Sequence, residues 1–207
     1  MRVDALSSSL ALCPYPHGMV NIDRGIEGNG YYPGARGFAA GTDPTNGIML
    51  LGRDFGLYSY YVKRSRISNA DETMYTWQRT VDCILEPLSG VGVWAVNYLL
   101  GARREPPATG NLRDLIPDEQ WQPYEQFCWE FLGRAAILQK PRHIVVLGGS
   151  NHEDLTAANR LQTPSHTFRD GSQEHSARIH LAPHPSSLRP HIAREKARAW
   201  YKSLAQS

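Results

Sequence analysis

Residues 48–51, Ile-Met-Leu-Leu, form a short unbroken apolar run bounded by glycine, the pattern of a strand buried on both faces. Residues 91–96 and 144–147 are similarly apolar, and with residues 178–182 they predict three more strands. Between them the apolar period lengthens. Met74, Trp77, Val81, Ile84, Leu85 and Leu88 recur at helical spacing, with Asp71 and Glu72 near the amino end and Pro87 as the stop. Pro117 opens a longer helix with Trp121, Tyr124, Cys128, Phe131, Leu132 and Ala135 inward. Gly148-Gly149-Ser150-Asn151 leads into a short helix, and residues 193–204 make the last one. The polar stretch 162–176 reads as a hairpin or loop. Strands alternating with helices predict an α/β fold: a three-layer α/β/α sandwich around a central, mainly parallel four-stranded sheet. Residues 1–45 are rich in Gly, Pro and Tyr and keep no period, so they read as an irregular N-terminal arm before a domain at 46–207. Tyr31 and Tyr32 in that arm either stack on a base or pack over the core.

A chain of 207 residues suffices for one globular domain that buries on the order of 70% of its unfolded surface. The formal charge of +2 neither demands nor excludes a nucleic-acid partner. Its distribution says more: Arg189, Arg194, Lys196, Arg198 and Lys202 face a single acid, Glu195, at the C-terminal end. Such a face attracts phosphates, or is a solvated helix surface. Cys13, Cys83 and Cys128 are isolated, which predicts reduced buried thiols and a cytoplasmic setting rather than a disulfide framework. The apolar stretch at residues 5–20 lacks a basic leader and is broken by Pro14 and Pro16, so neither a signal peptide nor a membrane span is expected.

The candidate chemistry lies in two loops. Gly52-Arg53-Asp54-Phe55-Gly56 follows the first predicted strand, and Pro183-His184-Pro185-Ser186-Ser187-Leu188-Arg189 follows the last. Loops leaving the carboxyl ends of parallel strands converge on one crevice, which would set Asp54 and His184 on either side of a ligand. An Asp after a strand also caps turns, and a loop His is often satisfied by backbone. Pro183 and Pro185 restrict the backbone around His184.

This pair of loops resembles the uracil-DNA glycosylase superfamily, in which a Gly-x-Asp-type loop and a His-Pro-Ser-x-Leu loop flank a strand ending in Asn. Val93-Trp94-Ala95-Val96-Asn97 occupies that middle slot, and the resemblance spans roughly residues 45–205. It implies a monofunctional glycosylase that hydrolyses the N-glycosidic bond of uracil and leaves an abasic site. Asp54 would position the water and His184 would stabilise the departing uracil anion. Asn97 would read the base edge, where a mismatched amide costs about 1–3 kcal/mol, or else ends its strand through turn chemistry. Gly52, Arg53 and Phe55 would line the base pocket, with Tyr58, Tyr60 and Tyr61 as other candidates for stacking. Ser186, Ser187 and Arg189 would hold flanking phosphates, together with Lys63, Arg64 and Arg66 if these do not simply form a solvated loop. Leu188 would wedge into the gap left by the flipped base, or else pack as a helix-cap residue. The implied partner is uracil-containing DNA, single- or double-stranded, met by a monomer with no metal and no organic cofactor. Phe55 and Gly56 stand where the best-known branch has Pro and Tyr, so the resemblance assigns thymine exclusion to no residue.

Other readings fare worse. Arg-Asp-Phe-Gly also occurs in kinases, but no Gly-rich phosphate loop or catalytic His-Arg-Asp sequence accompanies it. His152, His166, His175, His180 and His184 with Asp54 form no recognised metal-ligand spacing. No lysine stands within the motifs to form an imine, so strand cleavage is not expected. The remaining alternatives are a non-catalytic DNA-binding protein on the same scaffold and a glycosylase for another deaminated base such as hypoxanthine.

Overall fold

The computed structural model describes residues 6, 8–20, 46–54, 56–59, 79–105, 111–157, 160–188 and 191–207. Seven strands run in chain order: β1 (Met19–Val20), β2 (Ile48–Gly52), β3 (Val93–Asn97), β4 (Ala102–Arg103), β5 (His143–Leu147), β6 (Ser165–Asp170) and β7 (Gln173–Ala182). Three α-helices accompany them: α1 (Asp118–Gln139), α2 (Gly149–Ala157) and α3 (His191–Ala205). A π-helical segment covers Val81–Leu85.

The central sheet has the order β3-β2-β5-β7-β6, with β3, β2, β5 and β7 parallel and β6 antiparallel to β7. The fold is the expected three-layer α/β/α sandwich, with five strands in the sheet rather than four. The added strand, β6, comes from the polar stretch 162–176. It lies at the sheet edge, where Phe168 is its single fully buried residue, so its sequence carries no apolar run.

Alternation along the inner strands separates two cores. Met49, Leu51, Trp94, Val96, Ile144 and Val146 face the layer built by α1, whose Trp121, Tyr124, Cys128, Phe131, Leu132 and Ala135 are all buried as the helical period predicts. Ile48, Leu50, Ala95, Val145 and Leu147 face the opposite layer, with Ile84 of the π-helical segment and Tyr201 and Leu204 of α3. Of the apolar series expected at 74–88, Met74 and Trp77 lie outside the described residues, while Ile84 and Leu88 are buried and Val81 and Leu85 half-buried.

The described N-terminal residues belong to the first core. Leu6, Leu10, Cys13 and Met19 are buried there, and β1 pairs antiparallel with β4. Tyr31 and Tyr32 lie outside the described residues. Cys13, Cys83 and Cys128 are free and buried. Among the described residues no helix is long and apolar enough to cross a membrane.

Candidate functional site

The chain passes from β2 to β3 on one side and then returns to place β5 on the other side of β2. The strand order therefore reverses between β2 and β5, and in open α/β sheets ligands sit outside the carboxyl ends at such a reversal. Asp54 leaves the end of β2, Gly148 the end of β5 and His184 the end of β7. Two strand spacings, about 10 Å, separate β2 from β7. Between them β5 ends in Gly148 with φ +92°, a conformation that suits glycine. A Cβ there would lie 3.5 Å from Cβ of His184, so Gly148 and His184 are close neighbours at this end of the sheet.

Asp54 is held through both oxygens. Its Oδ1 accepts from the N–H of Gly56 at 2.8 Å, closing a turn within the loop. Its Oδ2 pairs with Nη2 of Arg103 at 3.2 Å, and both side chains are largely buried. Each carboxylate oxygen has two lone pairs, so acceptor capacity remains for a water.

His184 caps the 3₁₀ turn Pro185–Ser187. Its Nδ1 receives the backbone N–H of Ser186 at 3.2 Å and lies 2.7 Å from the Ser186 hydroxyl. A ring nitrogen that accepts a backbone N–H carries no proton, so in the neutral ring the hydrogen is assigned to Nε2, which becomes a donor. Part of the residue surface reaches solvent, yet the surrounding protein desolvates the ring and lowers its pKa, while Asp54 pulls it back up. The two expected catalytic groups leave the same end of the sheet, Asp54 after β2 and His184 after β7.

Asn97, 5% exposed, ends β3 in register with Gly52 of β2. The Gly52 carbonyl accepts from Tyr98 N–H at 2.9 Å, so Gly52 serves the ladder's end. Other expected contacts are placed differently. Arg53 bridges Asp154 at 3.0 Å and donates to Asn111 Oδ1 at 2.5 Å, tying the loop to α2 and to the turn before α1 instead of offering its guanidinium to a base. Burial raises the Asp154 carboxyl, and the Arg53 charge opposes it.

Ser186 and Ser187 are exposed, but their hydroxyls bond His184 within the loop, the second to its carbonyl at 2.7 Å. Leu188 is 3% exposed and packs in the core with Ala182, Tyr201 and Leu204. It is therefore a packing residue and not a protruding wedge. Phe55, Tyr60, Tyr61, Lys63, Arg64, Arg66 and Arg189 lie outside the described residues, whereas Tyr58 is exposed beside the Asp54 loop. On α3, Arg198 is engaged with the Asp82 carbonyl and with Glu86, while Lys196 and Lys202 face solvent.

Three polar residues that shape the site escape sequence reasoning. Arg103 clamps Asp54. Arg79, 4% exposed, donates to the Ser186 carbonyl at 3.1 Å and steadies the His184 loop. Asn151, 1% exposed, donates to the Leu51 carbonyl at 3.0 Å and fastens the start of α2 to the end of β2; its Oδ1 has no hydrogen-bond partner among the described residues. These pairings join positions 49, 107 and 100 residues apart, so no local period announces them. Among the described residues no group of three or more His, Cys, Asp or Glu side chains is arranged to hold a metal ion.

No family model matches this chain, and no curated protein matches it. A functional reading therefore rests on the sequence motifs and the geometry of the crevice.

Proposed function

We propose that this protein is a monofunctional DNA glycosylase that hydrolyses the N-glycosidic bond of uracil in DNA. It would act as a cytoplasmic monomer and leave an abasic site. The reading is supported by two loops that leave the same end of the sheet, one carrying an anchored carboxylate, Asp54, and the other an imidazole, His184, whose donor nitrogen is Nε2.

The chemistry follows from charge. As the bond from C1′ to N1 breaks, its electron pair leaves with the base, and the sugar becomes cation-like. Asp54 holds the attacking water through a remaining lone pair, stabilises the positive sugar and takes the water's proton as its oxygen bonds C1′; His184 Nε2–H donates to the uracil oxygen where negative charge grows. Asn97 ends β3 beside Gly52, and in this reading its amide would meet the Watson–Crick edge and prefer uracil to cytosine.

The test is base release from labelled oligonucleotides carrying one uracil, hypoxanthine or thymine mismatch, as single strands and duplexes. Wild type should release uracil, and Asp54→Asn and His184→Ala should each slow release by about 100-fold or more. Binding of the uracil strand without release of any base would replace this reading with a non-catalytic DNA-binding protein.

A further inference from the structure

We infer that Arg103 is the positioning residue for Asp54, and that the N-terminal residues 8–20 are part of the framework that aims it. The inference rests on the glycosylase reading above. Arg103 is 5% exposed, and a guanidinium so buried is costly unless an anion meets it. The anion is Asp54, at 3.2 Å.

The backbone of Arg103 binds the same loop: its N–H donates to the Gly56 carbonyl at 2.8 Å, and it forms a β-bridge with Leu57. Chain and side chain together therefore grip the Asp54 loop at three points. With Oδ1 on the Gly56 N–H and Oδ2 on the guanidinium, rotation of the carboxylate is fixed about both side-chain bonds. The remaining lone pair on each oxygen then has a fixed direction, and a water bound to either is positioned by it.

Arg103 is itself placed from two sides. β1 lies against it, Met19 opposite Arg103 and Val20 opposite Ala102. Gly101, just before β4, has φ +81°, and a Cβ there would meet Tyr15 Cε1 at 2.6 Å and the Val20 carbonyl at 2.7 Å. The N-terminal segment thus approaches β4 more closely than any side chain at 101 allows. From the other side α1 holds the preceding residue, Tyr124 Oη donating to the Leu100 carbonyl at 2.5 Å. The segment that sequence alone marks as an irregular arm is in this way connected, through Arg103, to the candidate catalytic carboxylate.

The experiment compares wild type, Arg103→Met and Arg103→Lys in single-turnover uracil excision, with oligonucleotide affinity and thermal melting measured beside it. Misplacing a reacting group by about 1 Å costs about 100-fold in rate, so Arg103→Met should slow the chemical step by about that factor. Its affinity for the oligonucleotide should stay that of wild type, and Arg103→Lys should recover part of the rate. A folded Arg103→Met with the wild-type rate overturns the inference. So does a loss of rate and affinity together that a normally melting Arg103→Lys fails to relieve. Should Arg103→Met not fold, Arg103→Gln takes its place under the same criteria. A wild type that releases no uracil sinks the glycosylase reading itself, an outcome distinct from an active wild type indifferent to position 103.

Discussion

The backbone N–H of Ser186 donates to Nδ1 of His184 at 3.2 Å, so a proton arriving at that nitrogen displaces this donor and turns to the Ser186 hydroxyl, 2.7 Å away. Protonation of the ring must break this contact, and desolvation disfavours the imidazolium further, lowering the pKa below the ordinary 6.5. If neutral His184 is the working form, excision should stay level as pH falls through 6.5 and decline only below it. A pH–rate profile of single-turnover excision checks this. An acid limb centred at or above 6.5 that vanishes in His184→Gln contradicts it.

Leu188→Ala separates packing from insertion into DNA. Because Leu188 is buried with Tyr201 and Leu204, truncation should destabilise the fold by about 2–5 kcal/mol. Urea unfolding measures that loss. Excision by the folded variant, assayed well below its melting temperature, should remain near wild type. An unchanged urea midpoint with weakened duplex binding would instead restore the wedge role.

Gly101 and Gly56 both have positive φ, +81° and +71°, but their surroundings differ. An added methyl at 56 meets nothing within 4 Å, so Gly56→Ala should cost about 1 kcal/mol of backbone strain. At 101 the methyl collides with Tyr15 and the Val20 carbonyl, so Gly101→Ala should cost about 3 kcal/mol or more, with strain and displacement combined. Equal melting temperatures for the two variants would show that the N-terminal segment is not held against β4.

At the other end of the sheet His143 Nδ1 lies 3.0 Å from His180 Nε2, and His143 is 2% exposed. Burial, then the neighbouring His180 and the Arg142 and Arg178 charges, lower the His143 pKa to about 4, and burial lowers that of His180 as well. Above the unfolded value of 6.5 both states leave this histidine neutral. Between 6.5 and about 4 only the unfolded chain takes the proton, so stability falls with pH across that window. The loss traceable to His143 should reach up to about 3 kcal/mol. Urea midpoints from pH 7 to 4.5 should drop more steeply in wild type than in His143→Gln, and parallel curves would contradict the assignment.

The layers of the fold were legible because burial on both faces writes itself into β2, β3 and β5 as unbroken apolar runs, and burial on one face writes a helical period into α1. β6 was not, since an edge strand needs only Phe168 inside and leaves Arg169 and Asp170 to solvent. At the site, Asp54 and His184 were visible because each follows a strand at once, so secondary structure alone aims them at the same end of the sheet. The directions of the Arg53 and Leu188 side chains were not legible, for a common reason. Adjacency to a motif says nothing of which way a side chain turns, and theirs turn to Asp154 and to the α3 layer. Arg79, Arg103 and Asn151 act across long sequence separations and leave no trace in local spacing.

The two loops at the crevice are moored to opposite layers. Asp54 is fastened by Arg103, on the side of the sheet where β1, β4 and α1 meet. The His184 loop is fastened by Arg79, next to the π-helical segment on the α3 side. Strand spacing therefore sets how far apart the ends of β2 and β7 lie, while each layer fastens its own loop. A substitution in either helical layer should displace one loop and leave the other in place.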